Sequence, residues 1–248
     1  MYNFFANEGS RAGDIFTVTG ADCNHIKNVL RMRAGEKILI SEGGKSHLCR
    51  IESLGEAAVT ARVVEENYRE TELPVKIYLF QGLPKSDKLE LIIQKAVELG
   101  VYEIVPVEMH RSVVKLDEKK KESRRARWQA IAESAAKQSK RNTVPCVSDV
   151  LSYKQAMEKA RGMGLFLVPY ENERGMIATK EVLARMERGM SVGILIGPEG
   201  GFEPKEIALA AESGGECISL GARILRTETA AIASVAMCML HAETEILV

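Results

Sequence analysis

With 248 residues and a hydrophobic fraction of 46%, the chain carries enough apolar material for one large folded domain or two modest ones. Its 34 basic and 34 acidic side chains cancel, so net charge alone gives no reason to expect a polyanionic partner. Five cysteines without a C-x-x-C pair and four scattered histidines exclude a disulfide framework and a zinc site, so no metal is expected. The longest uncharged run near the C-terminus, Thr229 to Ala242, is too short to span a bilayer, and "MYNFFANEGSR" lacks the pattern of a secretion signal. These features predict a soluble, cytoplasmic protein with no membrane partner.

Residues 1–72 read as short strands, "EKILISEG", "SHLCRIES" and "AAVTARVVEE", separated by glycine-containing turns and forming a small barrel or sheet. One helical insert, "DCNHIKNVLRMRAGE", places Ile26, Val29 and Leu30 at helical spacing, with Asp22 as its cap and Gly35 as its end. Its other face carries His25, Lys27, Arg31 and Arg33. After "EENYRETELP" the pattern changes. From residue 73 to 248, strands alternate with helices, the signature of a mostly parallel α/β sheet. "VKIYLFQG" is strand and "SDKLELIIQKAVELG" an amphipathic helix, capped at Ser86 or Asp87 and ended by Gly100. "EIVPV" is the next strand. A long basic helix from Glu118 to Ser139 offers Trp128, Ile131, Ala132 and Ala135 to a core. Charge is uneven here: Pro84 to Arg141 holds 14 basic against 9 acidic residues, with a dense run from Lys119 to Arg127 that a solvated helix face explains as well as a bound polyanion does. Three further strands, "GLFLVP", "SVGILIG" and "ECISLG", each lead into a helix.

Two phosphate-loop look-alikes fail. "GGKS" at Gly43 has Leu39 where a P-loop needs glycine and sits between strands, so it reads as a hairpin. "GMG" at Gly162 precedes a strand instead of following one, which excludes a dinucleotide fingerprint. "ILIGPEGGFEPKEI" is different, because its glycine-rich turn follows an apolar strand and precedes a helix starting at Pro204. Three glycines and a proline exceed what a turn requires, and bare backbone lets a ligand approach the amides. Together with "ISLGARILRTETA" and "LVPYE" (Leu167 to Glu171), three strand-end turns are predicted to enclose an adenosine-sized pocket.

At these residues the sequence resembles the RsmE group of the SPOUT, or α/β-knot, RNA methyltransferases. "IGPEGGFEPKEI" and "LGARILRTETA" are similar to the group's two most recognisable motifs, in order and separation. The likeness extends through "KLELIIQKAVELGVYEIVPVEMHRSVVK", "AAKQSKRNTVPCV" and "HIKNVLRMRAGE", and so covers almost the whole chain. It implies a PUA-like β-barrel RNA-recognition domain over 1–72, a trefoil-knotted methyltransferase domain over 73–248, and a homodimer. The implied reaction carries a methyl group from S-adenosylmethionine to N3 of one uridine in the decoding region of 16S ribosomal RNA, free or in the assembled small ribosomal subunit.

Carried onto this chain, the resemblance assigns the cofactor pocket to Leu167, Val168 and Pro169, to Ile196, Gly197, Pro198, Gly200 and Gly201, and to Leu220, Gly221, Ile224 and Leu225. Uridine N3 attacks well only after losing its proton, and a cation that stabilises the anionic ring helps. Arg226 is assigned that role first, with Arg223 and Glu199 as weaker candidates: Arg223 as a phosphate contact, Glu199 as a backbone anchor. Phosphate contacts are expected from Lys27, Arg31, Arg33, Lys137, Lys140 and Arg141.

The sequence departs from the group twice. Asn3 stands where arginine often precedes the N-terminal aromatic pair, leaving Arg11 as a substitute contact, and Glu203 replaces the Ser, Thr or Asp expected before Pro204. Two rival readings are a SPOUT methyltransferase acting on transfer RNA and a non-catalytic RNA-binding assembly factor. The intact glycine turn and arginine motif count against the second.

Overall fold

The computed structural model describes residues 1–170 and 175–247. By internal contacts the chain forms two units, Met1–Glu72 with Ala136–Val144, and Leu73–Ala135 with Pro145–Val248.

In the first unit, β1 (Asn3–Phe5), β2 (Arg11–Ala12) and β3 (Ile15–Thr19) precede a short helix, α1 (Gly20–Asn24), and β4 (Lys37–Glu42), β5 (Lys45–Leu54) and β6 (Ala58–Arg69) follow it. They form one sheet in the order β1-β4-β5-β6-β3-β2, antiparallel except where β1 runs parallel to β4. Gly43 (φ +56°) and Gly44 (φ +80°) join β4 to β5 with Glu42 opposite Lys45. Two successive positive φ values define a type I′ turn, so "GGKS" is the hairpin its setting predicts. Phe4, Phe16, Ile26, Ile38, Ile40, Ile51 and Val59 fill the core.

The helical insert differs from its periodicity. α1 has Thr19 at its N-cap and runs into a π-helical turn at His25–Val29, closed by the Leu30 amide on the His25 carbonyl at 2.9 Å. The wider turn shifts the register of the apolar stripe, so Ile26 is buried while Val29 is 65% exposed. Asp22 is no cap, because its carboxylate accepts from Lys137 Nζ at 2.8 Å.

The second unit contains β7 (Lys76–Gly82), α2 (Lys88–Glu98), β8 (Glu103–Glu108), α3 (Glu118–Ser139), β9 (Cys146–Val147), β10 (Leu151–Ser152), α4 (Tyr153–Ala160), β11 (Leu165–Pro169), α5 (Gly175–Leu183), β12 (Ser191–Ile196), α6 (Pro204–Glu212), β13 (Gly215–Ile218) and α7 (Thr227–His241). The last few residues of α3 count with the first unit. The sheet is parallel, ordered β10-β8-β7-β12-β11-β13, with β9 beside β8. Helices cover both faces of such a sheet, which is why β7, β8, β11 and β12 are nearly continuous apolar runs. α2 buries Leu89, Ile92, Ile93, Ala96 and Val97, one helical face, and stops where Gly100 (φ +94°) lets the Val101 amide reach the Ala96 carbonyl at 3.0 Å. β13 is an edge strand beyond β11, yet the chain returns from it to lay α7 on α2, β7 and β12. That return places the start of α7 beside the turn that follows β12.

Candidate functional site

β11 lies between β12 and β13, with Leu167 opposite Ile194 and Pro169 opposite Ile218. Their carboxyl ends therefore open along one edge, where ligands of open α/β sheets bind. Two adjoining clefts occupy this edge. One, of about 730 Å³, is lined by Ser219, Leu220, Gly221, Ala222 and Arg223, and the other, of about 650 Å³, by Ile196 to Glu199, Gly201, Phe202, Lys88, Arg111, Arg226 and Thr227. They share Pro169, Tyr170, Ile224, Leu225 and Ala230. Glu171, the last residue of the "LVPYE" turn, lies outside the described residues.

The loop before α7 has the chemistry of a nucleoside pocket. Ile224 is 99% exposed, and the amides of Leu220, Ala222, Arg223, Ile224 and Leu225 have no hydrogen-bond partner among the described residues. An apolar surface edged with unused donors suits a planar heterocycle with ring acceptors.

The turn after β12 is fixed from three directions. Thr227 Oγ1 donates to the Gly197 carbonyl at 2.6 Å and accepts from the buried Gln81 Nε2 at 3.0 Å. Glu199 accepts the Lys85 amide at 3.0 Å and pairs with Lys88 Nζ at 3.0 Å. Partial burial pushes the Glu199 carboxyl up, but its own amide, Lys88 and the Lys85 amide outweigh that and hold it below the usual carboxylate range. The third support comes from Arg111, whose Nη1 donates to the Gly200 carbonyl at 3.0 Å and whose Nε donates to Glu203 Oε1 at 2.6 Å.

Among the residues singled out from sequence, Pro169, Ile196, Gly197, Pro198, Gly201, Leu220, Gly221, Ile224 and Leu225 line the clefts, as do Arg223, Arg226 and Glu199. Leu167 and Val168 do not. They lie inside β11, buried in the sheet, because the strand ends only at Pro169. Gly200 faces Arg111 instead of the cleft. Arg226 is the N-cap of α7, exposed, and its guanidinium has no partner among the described residues. Thr227 does not cap α7, since its hydroxyl is turned to Gly197. Sequence reasoning left Lys88, Arg111, Tyr170 and Phe202 unassigned; only the "HRSVVK" likeness pointed toward Arg111.

The expected phosphate contacts divide. Arg31 and Arg33 are exposed and Lys140 half-buried, and none of these side chains has a partner among the described residues. Lys27 Nζ is bound to the Gly55 and Glu56 carbonyls at 2.6 and 2.8 Å, and Lys137 to Asp22. Arg141 corrects its assignment: it is 3% exposed and its guanidinium grips Glu72, so it is structural. Asn3 is buried as well, donating to the Arg141 carbonyl at 3.0 Å, and Arg11 is paired with Glu42 and Glu66. The basic run in α3 is largely neutralised, with Lys120 on Asp117, Lys121 on Glu108 and Glu118, Arg125 on Asp149, and Arg127 on Glu90. No group of metal ligands and no helix long and apolar enough to cross a membrane occurs among the described residues.

A model of the RNA methyltransferase domain matches residues 71–239, and a model of the RNA methyltransferase PUA domain matches residues 18–64. Ribosomal RNA small subunit methyltransferase E of Bacillus subtilis (strain 168) is 41% identical, the match covering 94% of this chain and 91% of that protein. The protein of the same name from Mesomycoplasma hyopneumoniae (strain 232) is 34% identical over 96% of this chain and 99% of its own length. The crystal structure of ribosomal RNA small subunit methyltransferase E from Neisseria gonorrhoeae, bound to S-adenosyl methionine, matches with a TM-score of 0.82 at 33% identity over 97% of each chain. With the strand-end clefts and the returning α7, these matches mean that the chain belongs to the ribosomal RNA small subunit methyltransferase E family of RNA methyltransferases, a SPOUT α/β-knot domain joined to an N-terminal PUA-like domain.

Proposed function

We propose that this chain transfers the methyl group of S-adenosylmethionine to N3 of one uridine in the decoding region of 16S ribosomal RNA. Residues 1–72 serve RNA recognition and residues 73–248 the transfer. The observation that carries the reading is the guanidinium of Arg226, unpaired among the described residues, in the cleft formed by the glycine turn.

The clefts fit the cofactor. Apart from Gly221, the loop from Leu220 to Leu225 offers amides unpaired among the described residues, and apolar side chains, to an adenine, and Ile196, Gly197 and Gly201 leave backbone open to the remainder. Leu167, Val168 and Gly200 act behind this surface, by holding the strand and the turn. When bound, S-adenosylmethionine supplies a methyl group on a positively charged sulfur.

Arg226 stabilises the negative charge that uracil oxygens gain as N3 loses its proton, an electrostatic contribution made by a group already in place. Arg223, exposed on the neighbouring loop and unpaired among the described residues, takes a phosphate. Glu199 is held ionised with its oxygens committed to Lys85 and Lys88, which supports an anchoring role over that of a proton acceptor. Lys27, Arg31, Arg33, Lys137 and Lys140 supply sequence-independent phosphate contacts. Exposed Ile224 and Leu240 at the two ends of the α7 region support a homodimer.

The test is methylation of small subunits, and of 16S ribosomal RNA alone, purified from cells lacking this modification. Mass spectrometry of the digested RNA should show one 3-methyluridine at the decoding region. A methyl group on another atom, or on transfer RNA only, overturns the substrate assignment. Sedimentation at micromolar concentration should give twice the mass of one chain, and a monomer overturns the dimer.

A further inference from the structure

α6 opens on a capping box formed by Glu203 and Glu206, yet the Glu203 side chain also has a partner outside the helix. Its N-cap is Glu203, although Ser, Thr, Asp or Asn satisfies a helix start better. The Glu203 carboxylate also reaches the loop after β8, where Arg111 Nε donates to it at 2.6 Å. The same guanidinium donates from Nη1 to the Gly200 carbonyl at 3.0 Å. Gly200 makes that approach possible, for a Cβ there would lie 2.9 Å from the Arg111 Cβ. The loop is held in turn by Glu206, which accepts the His110 amide at 2.9 Å and the Glu203 amide at 2.8 Å. Arg111 still contributes to the lining of the cleft.

We propose that Arg111 is a positioning residue for cofactor binding, its two-pronged guanidinium locking the Gly200 carbonyl so that the backbone of the 197–201 turn faces the cleft, and that Glu203 aims it. The inference rests on the cofactor reading given above. A planar fork with two donors in fixed directions performs this task, and an ammonium does not.

The experiment is calorimetric titration of the full chain with S-adenosylhomocysteine, beside thermal melts, for the wild type, R111A, R111K, E203S and the double variant R111A/E203S. E203S installs a better N-cap, so a role confined to capping predicts an unchanged or raised melting temperature and unchanged affinity. The expected result is an unchanged or raised melting temperature with affinity about tenfold weaker, as the loss of one charge-assisted hydrogen bond implies. R111A should weaken binding to a similar degree, R111K should not restore it, and the double variant should resemble either single one, the signature of two residues acting as a unit. Wild-type affinity in folded R111A or E203S, or additive losses in the double variant, overturns the inference while leaving the cofactor reading intact. Failure of the wild type to bind overturns the cofactor reading, and this one with it.

Discussion

Thr227 Oγ1 donates to the Gly197 carbonyl at 2.6 Å, joining the first residue of α7 to the turn after β12 across 30 positions of sequence. The same oxygen accepts from Gln81 Nε2, so a single hydroxyl connects β7, β12 and α7. Its removal in T227A leaves the half-buried Gly197 carbonyl without that donor and the buried Gln81 amide without that acceptor, and should cost about 1–3 kcal/mol. Urea denaturation checks this, and T227S, which keeps the hydroxyl, should retain wild-type stability.

Arg226 has no partner among the described residues where Glu199 is tied down, and the two should respond differently to mutation. R226A should lower the rate of methyl transfer by about 10²- to 10³-fold, the range for removal of a preorganised charge-stabilising donor. Cofactor affinity, read by calorimetry, should stay within about twofold, because the side chain stabilises charge on the base. Full turnover by R226A would mean that another group carries that charge.

The glycines of the site differ in why they are glycines. Gly201 has φ +69° and open space at its Cβ position, so G201V acts through backbone strain, not through crowding, and should cost about 1–2 kcal/mol. Gly82 is the opposite case: a Cβ there would sit 2.6 Å from Met109 Sδ and 2.8 Å from the Pro198 ring. G82A should therefore displace the turn and destabilise by about 1–3 kcal/mol through overpacking. Melts of the two variants, with cofactor titration, separate strain from displacement.

Glu72 and Arg141 form an ion pair in the first unit in which the guanidinium is buried and the carboxylate half-buried. Burial alone would raise the Glu72 carboxyl, but hydrogen bonds from Arg141 and from the Asn142 amide hold it below its ordinary value of 4.5. A depressed folded-state value contributes stability that is complete above the unfolded value and is lost as pH falls through the folded one. Stability should thus decline below about pH 4.5, and E72Q should flatten that acid limb. R141M, which leaves the half-buried Glu72 carboxylate its backbone amide donors but removes its counter-charge, should cost about 1–3 kcal/mol at neutral pH.

If Arg31 and Arg33 meet phosphates, R31A and R33A should each weaken RNA binding across sequences and reduce the salt slope of log affinity by about one. Variants of Arg141 should change the slope only where the fold itself is lost. Filter binding between low and moderate salt distinguishes the two.

Much of the molecule was legible in one dimension because the signals were local. Apolar runs ending at glycine turns fixed the parallel strands, the period of "KLELIIQKAVE" fixed the buried face of α2, and Pro204 marked the first turn of α6. The three turns of the site were readable for the same reason: bare backbone after a strand is written in the residues themselves. What the sequence could not carry is pairing over distance. Glu203 looked like a poor cap until its partner, 92 positions earlier, was in view. Arg141 counted as one more cation until Glu72 enclosed it, and most of the basic run in α3 proved neutralised by carboxylates, several of them on other elements. The π-helical turn at His25–Val29 defeated a period of 3.6 because one extra residue shifts the stripe, turning Val29 outward while Ile26 and Leu30 stay on the core. Strand order and the return of α7 brought Thr227, Lys88 and Arg111 to the glycine turn. Hydrogen bonds act over about three ångströms, and only the tertiary fold brings such residues within that range.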